Sequence, residues 1–114
     1  MERIVEQGLL YDFYGELLTG HQRQVYEDFV LNDLSLSEIA QERGVSRQGI
    51  HDIVKRCDRL LAEYEQKLHL VEKFLDTRKR VSEIFELACH GSENGCMESL
   101  EQIEGIAKEI LDNL

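Results

Sequence analysis

The chain has 114 residues, no proline, 42% hydrophobic and 32% charged residues, and a formal net charge of −10. This balance excludes a disordered segment and suits one compact domain with a single core. Without proline and without strand-like alternation between turn dipeptides, the expectation is an all-α protein.

No apolar run approaches the ~20 residues of a membrane span, so no membrane insertion is expected. The start, MERIVEQGLLYDFYGELL, carries glutamates throughout and lacks the apolar core of a secretion signal. Cys57, Cys89 and Cys96 form an odd, sparse set that fits free thiols in a reducing cytoplasm.

In chain order, Val5, Leu9, Phe13 and Leu17, with Leu10, Tyr14 and Leu18 beside them, give the first helix one broad apolar face. Thr19 can cap a second helix near residues 21–31, which buries Val25, Phe29 and Val30 or Tyr26. Ser35 and Glu38 have the spacing of a capping box, and Leu34 with Ile39 can form the hydrophobic staple. Gly44 ends that short third helix, and Ser46 caps the next, with Val45 and Ile50 as its staple.

From there Ile50, Val54, Cys57, Leu61, Tyr64, Leu68, Val71 and Leu75 alternate steps of four and three. That seam means one long helix, or two in near register, laid against another helix. The phase is lost at Arg78 and Ser82 and resumes at Val81, Phe85 and Ala88. A kink or reversal between residues 66 and 80 fits the loss, although no glycine or proline marks it. HGSENG, residues 90–95, reads as a loop. Met97, Leu100, Ile103, Ala107, Ile110 and Leu114 then form the apolar face of a terminal helix.

Two helices crossing steeply at a tight turn need a small residue where they nearly touch, a glycine to open the turn, and branched apolar residues around the corner. Ala40, Gly44, and Ile39, Val45, Ile50 and Ile53 meet those needs. Arg43 departs from the pattern, since an apolar residue is more usual just before the glycine.

The stretch LTGHQRQVYEDFVLNDLSLSEIAQERGVSRQGIHDIVKRC resembles region 4 of bacterial sigma factors, which binds promoter DNA with its second helix. The chain as a whole resembles the YlxM family of small bacterial helix-turn-helix proteins. LYDFYGELLTGHQ, the YEDF turn and SLSEIAQERGVSRQGIHDIVKR carry that resemblance, which covers residues 7 to about 90 and includes the tail opening HLVEKFLDTRKRVSEI. It implies a sigma-region-4-like bundle followed by a long helical C-terminal segment. It also implies a regulatory link to the signal recognition particle pathway, with the particle's GTPase, its RNA, or both as partners.

On the second helix of the corner, Ile50, Ile53 and Val54 point to the core and Arg47, Gln48, His51, Asp52, Lys55 and Arg56 away from it. An arginine at such a helix's start pairs with guanine and a glutamine with adenine, so Arg47, Gln48 and His51 are the candidates for base edges. Ser46 and the first amides can grip a phosphate, and Arg43, Lys55, Arg56 and Arg59 can hold the backbone. The plainer reading of the same face is a solvated helix surface.

Charge weighs against duplex DNA. Residues 36–60 hold five bases and four acids, against two and seven in 1–35 and six and twelve in 61–114. The bases thus make a nearly neutral island in an anionic surface, where specific DNA binders commonly use ~6–10 phosphate contacts. A second basic cluster, Arg78, Lys79 and Arg80, reads either as an RNA phosphate contact or as a solvated face paired with glutamates such as Glu83.

Cys89, His90 and Cys96 offer no local fourth donor, so neither zinc nor any cofactor is expected. Cys57, on the seam, reads as a small buried apolar residue. No nucleophile with a base, and no Gly-rich phosphate loop, points to an enzyme. The expectation is therefore a region-4-like helix-turn-helix unit at 1–60 and a helical tail at 61–114 that packs with it as one domain and forms a homodimer. The function expected is adaptor of the signal recognition particle, with a transcription regulator binding duplex DNA as the alternative.

Overall fold

The structure, a computed structural model, describes residues 2–94 and 97–113, with backbone alone at 92–94. The described residues form six α-helices and no strand: α1 (Arg3–Tyr14), α2 (Gly20–Val30), α3 (Leu36–Arg43), α4 (Arg47–Leu68), α5 (Leu70–Asn94) and α6 (Met97–Asn113), with a 3-10 turn at Gly15–Leu17. They divide into two compact units, Met1–Val71 and Glu72–Leu114. The expected division at residues 60 and 61 falls inside α4, which runs unbroken across it.

In the first unit α1, α2 and α3 all pack on α4. The core is Tyr11, Tyr14 and Leu18 from the first segment, Val25 and Tyr26 from α2, Ile39 and Ala40 from α3, and Ile50, Val54, Cys57 and Leu61 from α4. The seam read from the sequence is buried as far as Leu61 and again at Val71; Tyr64 and Leu75 are half-buried and Leu68 exposed.

The first helix turns inward one flank of the expected face. Tyr14 and Leu18 are buried as expected and Leu9 and Leu10 half-buried, but Val5, Phe13 and Leu17 are exposed, and Gln7 and Tyr11 are buried in their place. Polar partners explain the rotation. Gln7 Nε2 donates to Asp58 Oδ1 at 2.9 Å, Tyr14 Oη to Glu65 Oε1 at 2.6 Å, and the Tyr11 hydroxyl to the Glu27 carboxylate. With its hydroxyl satisfied, a tyrosine contributes large apolar area to a core without an orphaned polar atom. Gly15 makes room for this face: a Cβ there would stand 2.7 Å from the Tyr11 ring.

Helix starts follow the local code. Thr19 with Gln22 and Ser35 with Glu38 form complete capping boxes for α2 and α3. Ser46 Oγ accepts from Gly49 N–H at 3.0 Å to cap α4. Gly44, at φ 66°, closes α3 in the left-handed conformation, and Val45 N–H donates back to Ala40 O. Val45 itself is exposed, so the corner is plugged by Ile39, Ala40 and Ile50, with Ile53 half-buried.

The break in the long seam falls at His69, which adopts φ 57° and ends α4 without glycine. Its amide donates to Glu65 O at 2.8 Å. The next two amides, the first of α5, are also taken. Leu70 N–H donates to Tyr14 Oη at 3.0 Å and Val71 N–H to Glu65 Oε1 at 2.9 Å. Side chains of α1 and α4 thus cap α5, offsetting the strain of a β-carbon at positive φ.

In the second unit α5 continues through the expected HGSENG loop as far as Asn94; Gly95 and Cys96 lie outside the described residues. Arg80 Nε donates to Asp76 Oδ2 at 3.0 Å, and its Nη1 pairs with Glu109 of α6. A Cβ on Gly91 would lie 3.6 Å from Ser99 Cβ, so these helices approach closely there. The expected face of α6 is only partly turned inward. Met97 and Leu100 are exposed, Ile103 and Ile110 half-buried, and Leu114 lies outside the described residues.

Candidate nucleic-acid interface

The corner presents the first half of α4 to solvent in the manner of a groove-reading helix. Ser46, Arg47 and Gln48 open it and are exposed, as are Lys55, Arg56 and Arg59 further along. Among the described residues Arg47 forms no ion pair. Gln48 Nε2 donates to Asp52 Oδ1 at 3.0 Å, so the amide proposed for an adenine is steadied within its own helix. Ser46 Oγ takes the Gly49 amide for the cap, which leaves the Arg47 and Gln48 amides to face a phosphate.

Arg43 has other work. Its guanidinium donates to Asp28 Oδ2 at 2.9 Å and to Gln24 Oε1 at 3.3 Å, tying α3 to α2. This contact, joined by the Asn32 amide, holds the Asp28 carboxyl below the ordinary carboxylate range against the opposing effect of burial. That is why an arginine stands where the corner pattern favours an apolar residue. The structure therefore separates Arg43 from the exposed bases of α4.

His51 is half-buried. It lies on a cleft of about 340 Å³ that includes Arg3, Gln7, Phe29, Leu36, Lys55 and Asp58 among its walls. Its Nδ1 stands 3.6 Å from Asp52 Oδ1 and is shielded from solvent without a hydrogen bond. The ring thus presents only part of itself to a ligand on the outer face.

At the floor of this region Asp58 is a hub that the sequence reading counts only as a charge. Tyr26 Oη donates to its Oδ1 at 2.6 Å, Gln7 Nε2 at 2.9 Å, and Arg3 Nη2 reaches its Oδ2 at 3.4 Å. Burial, then the neighbouring Asp58 carboxylate, push the Tyr26 hydroxyl far above its usual range. The available signal was Tyr26 and Gln7 on inward faces, both needing a polar partner from α4. Cys57, beside this hub, is fully buried, and burial pushes its thiol up to about 11.

Three helices on a long fourth, with a capped corner that exposes the start of that fourth helix, define a helix-turn-helix protein. Comparison with known proteins carries this further. Residues 1–103 match the family of helix-turn-helix proteins UPF0122, described as "YlxM / p13 like". The chain belongs to that family, and the match extends beyond residue 90, where the resemblance read from sequence fades.

Among its relatives, a UPF0122 protein of Desulforamulus reducens is 42% identical over 113 residues, covering 98% of this chain and 96% of the relative. One from Caldanaerobacter subterraneus subsp. tengcongensis is 49% identical over 78 residues, 68% of this chain and 67% of the relative. One from Shouchella clausii is 39% identical, covering 91% and 96% respectively. No described helix is long and apolar enough to cross a membrane.

Proposed function

We propose that the protein is a cytoplasmic regulatory adaptor of the signal recognition particle pathway. It binds the particle's GTPase, its RNA, or both, and acts by association rather than catalysis. The pathway comes from the family resemblance; the mode of action comes from how the bases of the corner are used. With Arg43 committed to Asp28, the corner offers four exposed cations, Arg47, Lys55, Arg56 and Arg59, in a chain of net charge −10. That is fewer than the ~6–10 phosphate contacts common among specific duplex binders, and the surrounding field opposes a polyanion. The same anionic surface suits a protein partner with a basic face, such as an RNA-binding GTPase.

One observation favours the second reading, a transcription regulator on duplex DNA. Arg47 and Gln48 stand exposed at the capped start of α4, where a recognition helix meets base edges.

Titrations of the full chain against the particle GTPase, the particle RNA and duplex DNA over a salt series separate the two. Binding of the GTPase or the RNA, with weak affinity for duplexes of any sequence, is the expected result. Sequence-selective duplex binding that falls steeply with salt and vanishes in Arg47→Ala, without affinity for either particle component, would replace the adaptor with the regulator.

A further inference from the structure

The second unit carries a line of exposed large apolar side chains on α5. Among the described residues of 72–114 no apolar side chain is buried; Ser99 alone is. On α5, Phe74, Val81 and Phe85 are 40%, 52% and 69% exposed, and steps of seven and four place them in one stripe. A trough of about 650 Å³ runs along them, edged by Thr77, Arg78, Ser82 and Glu86. A line of large apolar side chains rimmed by charge marks a surface of association. Two helices alone enclose no core, whereas four do.

Charge identifies the occupant. Residues 73–80 of α5 carry Lys73, Arg78, Lys79 and Arg80 against Asp76 alone, and residues 81–94 carry Glu83, Glu86 and Glu93 with no base. Such a helix repels a parallel copy of itself and attracts an antiparallel one. We propose that a second copy of this chain covers the stripe, α5 lying antiparallel to α5 about a twofold axis near Ser82. Arg78 and Glu86 stand four residues either side of Ser82, so the axis sets Arg78 opposite the partner's Glu86 and, by symmetry, Glu86 opposite the partner's Arg78. Arg80 is already held by Asp76 and Glu109 in its own chain, which leaves Arg78 as the base available at the rim. Val81 and Phe85 fill the centre. The α5 and α6 of both copies then supply the four helices of a closed core, where one second unit offers two.

Light scattering on the eluting full chain reads this directly. The expected mass is twice 13.3 kDa. Phe85→Glu raises the dimer dissociation constant by about 100-fold or more, because a carboxylate is then buried at the centre twice over. Arg78→Glu and Glu86→Arg each weaken the dimer by roughly threefold to tenfold, and the double variant recovers most of that loss. Where Phe85→Glu unfolds the tail, the charge pair and a crosslink decide instead. In a chain carrying Cys89→Ser and Cys96→Ser, Ser82→Cys joins two copies through a short bis-maleimide, and Glu83→Cys, on the opposite side of α5, does not. A monomer at every concentration to about 100 µM overturns the proposal. So does a dimer indifferent to both Phe85→Glu and the charge pair, or one that crosslinks through the Glu83→Cys variant and not the Ser82→Cys variant.

Discussion

All twelve buried apolar side chains among the described residues belong to the first unit, from Tyr11 to Val71, although the second contributes two of the six helices. Both units are amphipathic in sequence, so hydropathy alone does not separate them. What differs is closure. In the first, α1, α2 and α3 each bring an inward face to α4, and three tyrosines carry their hydroxyls to carboxylates. In the second, α5 and α6 meet at points such as Arg80–Glu109 and Gly91 beside Ser99, and leave stripes of large side chains in water. A helical pattern records that a face wants cover; it does not record whether the same chain provides it.

The contrast can be broken at several strengths. Leu61→Ala removes a fully buried side chain at the centre of the first unit and should cost about 2–5 kcal/mol in denaturant unfolding, whereas Leu100→Ala, on an exposed position of α6, should cost less than about 1 kcal/mol. Equal losses would mean that the tail is as closed as the first unit. Tyr14→Phe strips one partner from both the Glu65 carboxylate and the Leu70 amide. It should cost about 1–3 kcal/mol, and amide exchange at Leu70 and Val71 should quicken first.

Gly44→Ala forces a β-carbon into φ 66° at an otherwise open position, a loss of about 1 kcal/mol by thermal melting. The smallest effect is with acid. Asp28 titrates lower when folded than when unfolded, because Arg43 holds its charged form. Its contribution is present above the unfolded carboxylate value near ~4 and is lost as pH falls through the folded one. Asp28→Asn should flatten that part of the stability curve.

What could be read in advance was whatever lies within a few residues along the chain. The capping box at Ser35 and Glu38, the caps at Thr19 and Ser46 and the left-handed glycine at residue 44 are local devices, and the structure has each of them. So was the buried run Ile50, Val54, Cys57, Leu61, whose periodicity is its own record. The misreadings share a different cause. The inward face of α1 depends on acids 16 and 51 residues away that pair with Tyr11, Tyr14 and Gln7, and no hydropathy stripe reports them. The stop at His69 depends on Tyr14 and Glu65 taking the next two amides, so no glycine or proline announces it. HGSENG has the composition of a loop, yet α5 runs through it as far as Asn94. At the candidate site, residue types alone offered Arg43 to a phosphate. The partner that claims it, Asp28, sits on another helix.

The tyrosine–carboxylate pairs also give the molecule a built-in optical readout. The chain has four tyrosines and no tryptophan, and all four tyrosines fall before residue 72. A phenol hydrogen-bonded to a carboxylate loses its excited-state proton readily and emits poorly, so Tyr11, Tyr14 and Tyr26 should be dim while Glu27, Glu65 and Asp58 hold them. Unfolding should brighten the emission, and the gain reports the first unit alone. Followed beside far-ultraviolet dichroism, which sees every helix, it would show whether the two units melt together or in turn.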